Sequence, residues 1–286
     1  MTGLPDRRLA AGAPSVDRPM IVLRVMGTLV GIRVEADAAN DVATALRSAW
    51  DRCLVQDAAV NPEELIVLTA RIARPGAPVH RIDDTVISRA SIDELMNALT
   101  PRITVAAIDA QAGSMIMMHA CGFADPATGA TVALVGRSGM GKTTLSARLG
   151  ASLGYVTDET VAVLPGGGVL GYPKPLSVKR GGADPVKDQI SPTALGLLAA
   201  PERLHLAAIV LLDRQHDAPR EPVVSRVPLL EGVMRLAPEL SHFARTTRPL
   251  QLLDGLIEAC GGVQAITYRE SEDAVPLIRS LLKASA

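Results

Sequence analysis

Apolar positions along this chain fall into two kinds of pattern, short β-branched runs and longer stretches with helical spacing. Residues 20–34 (MIVLRVMGTLVGIRV) are strand-rich, with Gly27 and Gly31 as candidate bend points. Residues 41–53 place Val42, Leu46 and Trp50 on one helical face. A short strand is expected at 65–68, then a loop at 74–78 (RPGAP). Ser91 with Glu94 three residues on has capping-box spacing, so a helix should run from there through Leu99, with Pro101 opening a second one. Residues 114–124 and 131–135 read as strands joined by the turn DPATG. Leu145, Leu149 and Leu153 form a helical stripe that Gly154 ends. Residues 155–164 read as strand, acidic corner, strand, and 206–212 as a buried strand. Helices over 229–236 and 250–260, the second opened by Pro249, a strand over 264–268 and a helix over 271–282 complete the pattern. The fold class expected is α/β. A tail over 1–19 precedes a small α/β region over 20–90, and the larger domain spans 91–286.

Between the strand at 131–135 and the following helix lies GRSGMGKT, residues 136–143, which fits the pattern G-x-x-x-x-G-K-[ST]. Four constrained positions give a chance match of roughly one in a hundred in a chain of this length. Strand, glycine loop, helix is the context the pattern needs. Backbone N–H groups of Gly136, Ser138, Gly139, Met140, Gly141, Lys142, Thr143 and Thr144 are candidates to surround a polyphosphate. The Lys142 ammonium would reach the β/γ-phosphates and the Thr143 hydroxyl would ligate Mg²⁺. The cofactors expected are therefore ATP and Mg²⁺.

Composition narrows the partners. Of 286 residues 48% are hydrophobic and only 2% aromatic, so the core is aliphatic and stacking platforms for single-stranded nucleic acid are not expected. Lys+Arg 29 against Asp+Glu 30 leaves no basic excess for nucleic acid or anionic lipid. Three well-separated cysteines, Cys53, Cys121 and Cys260, point to reduced thiols and a cytoplasmic setting, and no CxxC pair suggests zinc. Residues 1–19 have no apolar core of a signal peptide, and no apolar run is long enough to span a bilayer.

A magnesium nucleotide site needs a carboxylate near the metal, and a kinase needs a group to orient or deprotonate the attacking hydroxyl. Asp158 and Glu159 follow Lys142 by 16 and 17 positions. A strand beside the phosphate-loop strand would end next to the γ-phosphate, where ligands sit in α/β sheets.

Residues 136–164, together with Met118-His119-Ala120 before the loop, resemble the core of HPr kinase/phosphorylase and its HPr-kinase-related relatives, which share a distant fold with phosphoenolpyruvate carboxykinase. The likeness in layout covers 91–286 and is motif-specific over 115–176. It implies that Asp158 acts as general base toward a serine, that Glu159 belongs to the metal and phosphate environment, and that His119 lies near the transferred phosphoryl group. Three departures stand out: Thr144 where those kinases carry Glu, Asp-Glu for Asp-Asp, and KPLSVKR (residues 174–180) in place of their glycine-rich signature. These departures argue against HPr as the acceptor and fit relatives found beside modified-peptide pathways.

Lys174, between two prolines, has a fixed direction, toward phosphate or substrate or simply into a loop. Arg214 is either an internal arginine finger or a surface ion pair, and Arg137 should face solvent. The function expected is a Mg-ATP-dependent kinase with a protein or peptide acceptor. A nucleotide-sensing module and a small-molecule kinase stay open as alternatives, and a homo-oligomer is compatible with each.

Overall fold

The structure is a computed structural model and describes residues 20–35, 39–56, 61–73, 84–137, 140–181 and 185–284. The tail over 1–19 and the loop expected at 74–78 lie outside the described residues. In chain order the elements are β1 (Met20–Val25), β2 (Thr28–Glu35), α1 (Ala39–Ala49), β3 (Leu65–Ile72), β4 (Val86–Arg89), α2 (Ile92–Ala110), β5 (Ile116–Ala124), β6 (Ala130–Val135), α3 (Lys142–Leu149), β7 (Gly154–Thr157), β8 (Thr160–Val163) and β9 (Gly168–Leu170). Then follow β10 (Leu176–Lys179), β11 (Lys187–Ile190), β12 (Leu204–Arg214), β13 (Val223–Val227), α4 (Leu229–Leu236), β14 (Leu240–Ser241), α5 (Pro249–Ala259), β15 (Val263–Tyr268) and α6 (Ser271–Ala284). The chain is a mixed α/β protein.

Among the described residues the strands form a four-stranded sheet in the order β1-β2-β3-β4, a β10-β11 hairpin, and a nine-stranded sheet. The large sheet runs β13-β15-β12-β6-β5-β8-β9, with β7 and β14 also paired to β5. β6, β12 and β15 are parallel. Both β7 and β8 are antiparallel to β5, which is itself antiparallel to β6, so β7 and β8 run in the direction of β6. The β6 side chains alternate between two cores. Val132 and Leu134 join Leu145 and Leu149 of α3 and Ala274, Ile278 and Leu282 of α6. Ala133 and Val135 join Leu253, Leu256 and Ile257 of α5 on the other face. Each fully buried Val or Leu contributes about 1.5–3 kcal/mol, so this two-faced burial is what holds β6 at the sheet centre.

Four elements depart from their sequence patterns. Pro101 lies inside α2 rather than opening a new helix. Proline removes one helical N–H bond, but Leu95 and Leu99 before it and Ile103 and Ala107 after it share one buried face. That common face keeps the helix continuous. The stripe Leu145–Leu149–Leu153 leaves the helix early, since α3 ends at Leu149 with Gly150 as its cap and Leu153 is buried from a turn. Gly154 begins β7 instead of stopping a helix. Gly31 is an ordinary strand residue of β2, while the bend sits at Met26 and Gly27.

Helix α2 packs with the first sheet. Its buried residues share a core with Ile21, Leu23, Val30, Ile32, Leu46 and Trp50. By packing, the first body therefore reaches beyond the expected division at residue 91. The same core takes in Met117, Ala162 and Tyr172 from the region of the large sheet, which joins the two bodies through apolar contact.

Candidate functional site

The loop after β6 is held by its own glycines and by two elements behind it. Gly136 is buried, and a Cβ there would lie 3.0 Å from Leu212 Cβ at the end of β12. Gly141 has φ +84°, and a Cβ there would stand 2.0 Å from the Ser271 Oγ at the start of α6. Only glycine fits both the conformation and the approach. The Tyr268 hydroxyl donates to the Met140 carbonyl, tying the loop to the end of β15. Helix α3 begins at Lys142, so Thr143 lies in its first turn, where backbone N–H groups point out of the helix and favour an anion. Lys142 Nζ donates to the Gly136 carbonyl. Thr144 and Arg137 are exposed, and Met140 is half-buried. Ser138 and Gly139 lie outside the described residues.

The acidic corner is a break in one long edge. β8 pairs with the first half of β5, His119 opposite Thr160, and β7 pairs with the second half, Gly122 opposite Thr157. Asp158 and Glu159 are the bend between them, and the Ala120 N–H donates to the Glu159 carbonyl at 3.1 Å. Ala120 is also the partner of Val135, the last residue of β6. The bend is therefore level with the start of the loop, one strand away. The expected strand beside β6 is in fact β5, and β7 lies one place further out. The outcome for Asp158 and Glu159 is similar because two antiparallel steps restore the direction of β6.

A buried thiol joins loop and corner. Cys121 Sγ lies 3.8 Å from both the Lys142 and the Asp158 carbonyl oxygens, and the Ser146 hydroxyl points at it from 3.7 Å. Burial, with Asp158 nearby, pushes this thiol up to about 12, so it stays protonated and serves as packing. Cys53 and Cys260 are likewise free and buried.

Lys174 changes the electrostatics of the corner. Its side chain is 3% exposed, with Nζ 2.9 Å from Asp158 Oδ1 and 3.3 Å from Glu159 Oε2. Its third bond goes to the Pro175 carbonyl at 2.9 Å. Burial opposes the ammonium charge, but the two carboxylates outweigh it and hold the Lys174 pKa above its ordinary value. The sequence left Lys174 directed toward phosphate or substrate or simply into a loop; the fold turns its ammonium onto the acidic pair rather than into a solvated loop. The Tyr155 hydroxyl donates to the same Asp158 Oδ1 at 3.0 Å, and burial beside Asp158 holds that phenol well above the ordinary tyrosine range. Among the described residues no donor is bonded to Asp158 Oδ2. Both side-chain bonds to the carboxylate fall on the one oxygen, Oδ1.

His119 shares a face of β5 with Cys121 and is exposed. Crowding around the ring and then the Lys142 charge lower its pKa, while Glu159 and Glu239 act the other way. The net effect favours the neutral imidazole. Arg214 donates from Nη2 to Glu270 at 2.6 Å and from Nε to the Arg269 carbonyl at 2.9 Å, a surface pairing rather than a finger aimed at the loop. Sequence reasoning missed Tyr155, Tyr268 and Ser271. Tyr268 and Ser271 act through contacts between segments distant in the chain, and Tyr155 reaches Asp158 only because the chain bends after β7; no local pattern marks any of them.

For a metal, the Glu159 carboxylate offers hard oxygen donors of the kind Mg²⁺ prefers. Among the described residues no group of three or more His, Cys, Asp or Glu could hold a metal. The rest of the shell would come from phosphate oxygens and water, which is how Mg²⁺ is usually held beside nucleotides. No helix among the described residues is long and apolar enough to cross a membrane.

The fold and the corner together define a mixed α/β protein with a glycine loop beside an acid–lysine cluster. No family model matches the chain, and no curated protein matches it. Among solved structures it is similar to the HPr(Ser) kinase/phosphatase from Coxiella burnetii, over 59% of this chain and 94% of that one, with 15% sequence identity and a TM-score of 0.30. That likeness is distant.

Proposed function

We propose that this protein is a Mg-ATP-dependent kinase that transfers the γ-phosphoryl group to a hydroxyl, a serine of a protein or peptide. The observation that carries this reading is the acidic bend level with the end of β6, one strand from a loop of sequence GRSGMGKT. In it the loop amides of residues 136–144 surround the phosphates and Lys142 leaves the Gly136 carbonyl for the β/γ-phosphates. Thr143 and Glu159 would hold Mg²⁺, which would neutralise charge on the phosphates. Asp158 accepts the proton of the attacking hydroxyl on Oδ2 while Lys174 and Tyr155 fix Oδ1. The acceptor oxygen bonds to phosphorus as the bond from phosphorus to the β–γ bridging oxygen breaks, leaving ADP. Neutral His119 donates to, or accepts from, groups at the phosphoryl position without adding charge. In-line transfer of this kind depends mainly on positioning and charge.

The test is phosphoryl transfer from labelled ATP into a cell lysate by wild type, Lys142→Ala and Asp158→Asn. Labelling of a protein or peptide should require Lys142. Asp158→Asn should keep most nucleotide affinity and lose transfer by about 10²–10⁴-fold, the size of a positioned base. If no label depends on Lys142, the protein is a nucleotide sensor; if the labelled acceptor is a metabolite, it is a small-molecule kinase.

A further inference from the structure

Lys174 is placed too deliberately for a loop lysine. Its ammonium has three N–H donors, and all three are used, on Asp158, Glu159 and the Pro175 carbonyl. It therefore has no donor left for a phosphate while the corner is in this arrangement. Pro173 and Pro175 restrict the backbone on both sides, and the Lys174 N–H donates to the Tyr172 carbonyl at 2.8 Å. Tyr172 is in turn anchored in the first body. Its hydroxyl is 2.7 Å from Thr104 Oγ1 of α2, and its ring centroid is 6.3 Å from that of Trp50. Without a cation between them, two neighbouring carboxylates repel, and Asp158 is only 10% exposed.

We propose that Lys174 is a positioning residue, a built-in cation that holds Asp158 and Glu159 together and aims Asp158 before nucleotide and metal arrive. This deepens the kinase reading above. It also makes the first body part of the site, since Trp50 and Thr104 fix the segment that carries the lysine. A second consequence concerns the metal. Lys174 and Mg²⁺ address the same carboxylate of Glu159, so removing the lysine charge turns the corner into a better cation site even without nucleotide.

The experiment compares wild type, Lys174→Met, Lys174→Arg, Glu159→Gln and the double variant Lys174→Met/Glu159→Gln. Thermal unfolding is read in chelator and in millimolar Mg²⁺, both nucleotide-free. Lys174→Met should melt below wild type in chelator and recover part of the loss in Mg²⁺, whereas wild type should barely respond. The recovery should vanish in the double variant. Mn²⁺ titration followed by electron paramagnetic resonance should show binding to Lys174→Met at least about tenfold tighter than to wild type, as expected when one cation leaves a pair of carboxylates. A lysine that served only as packing would lower stability without any of this metal dependence. In turnover, kcat should fall with KM for ATP nearly unchanged, and Lys174→Arg should restore part of kcat. Should Lys174→Met fail to fold, Lys174→Gln, which removes the charge but keeps hydrogen-bond donors, takes its place: a Mn²⁺ affinity equal to that of wild type in this variant would overturn the proposal. An Mg²⁺-independent melting point and an unchanged Mn²⁺ affinity in Lys174→Met would overturn it too. If wild type transfers no phosphate, the kinase reading fails, and the melting and Mn²⁺ measurements still decide the role of Lys174.

Discussion

Single charges set the behaviour of the corner. Two lysines differ in state: Lys174 is locked onto the corner by three bonds, while Lys142, among the described residues, donates only to a loop carbonyl. The difference suits different tasks, a fixed cation for a carboxylate and a movable one for a phosphate. Lys142→Ala should weaken ATP binding by about 1.5–3 kcal/mol, the worth of a hydrogen bond to a charged group, which is roughly 10- to 150-fold in affinity. Calorimetric titration with Mg-ATP checks it, and equal affinities would remove Lys142 from the phosphate site. Lys174 could be singled out in the sequence only by its flanking prolines. What it bonds to depends on segments 15 and 16 residues away being folded onto it, so its partners were not legible there.

At the scale of elements, turns and caps carry local information that survives into the fold. The β5–β6 turn is closed by Asp125, whose Oδ1 accepts from the N–H groups of Ala127 and Thr128 at 2.8 and 2.9 Å. Those bonds favour the ionised form and hold the Asp125 pKa below its ordinary 3.8. The unfolded chain therefore takes up this proton first as pH falls. The stabilisation is present above 3.8 and is lost as pH drops through the lower folded value. Asp125→Asn, which cannot ionise, should melt below wild type by a constant margin from pH 7 to about pH 5, and the margin should narrow below 3.8. Melting curves across that range test it; a margin that widens in acid would contradict it. Ser91 behaves as its spacing predicts, its side chain accepting from the Glu94 N–H at 3.2 Å. Pro101 and Leu153 do not, because burial against a neighbouring sheet outweighs a local preference of a few kcal/mol at most. The short strands β10 and β11 were not legible, since LSVK alternates over only four residues and KDQI shows neither alternation nor a β-branched run.

At the scale of the molecule, the two bodies share a core, and Trp50 is at the seam. It is fully buried among β1, β2, α1 and α2 and lies against Tyr172, the neighbour of the Pro-Lys-Pro segment. Trp50→Ala should cost about 3–5 kcal/mol, the usual size for removing a buried tryptophan. Among the described residues its Nε1 has no hydrogen-bond partner, so Trp50→Phe loses no bond there and should cost clearly less. Denaturant unfolding measures both, and equal losses would mean that the indole nitrogen matters after all. Because the core crosses from the first sheet to Met117 and Ala162, both variants should lower a single unfolding transition rather than split it.

From the order of residues alone came the α/β class, the strand–loop–helix around GRSGMGKT, and the acidic bend between two strands. All of these are written in local spacing: period-two and helical repeats, glycines where the chain must turn tightly, and acids where strands break. Only the tertiary structure decided that β5 separates the bend from β6, that α2 belongs to the first core, and that Lys174 closes on Asp158 and Glu159. Those facts depend on which surfaces meet when apolar faces are buried together. A contact between distant segments leaves no period in the sequence from which to read it.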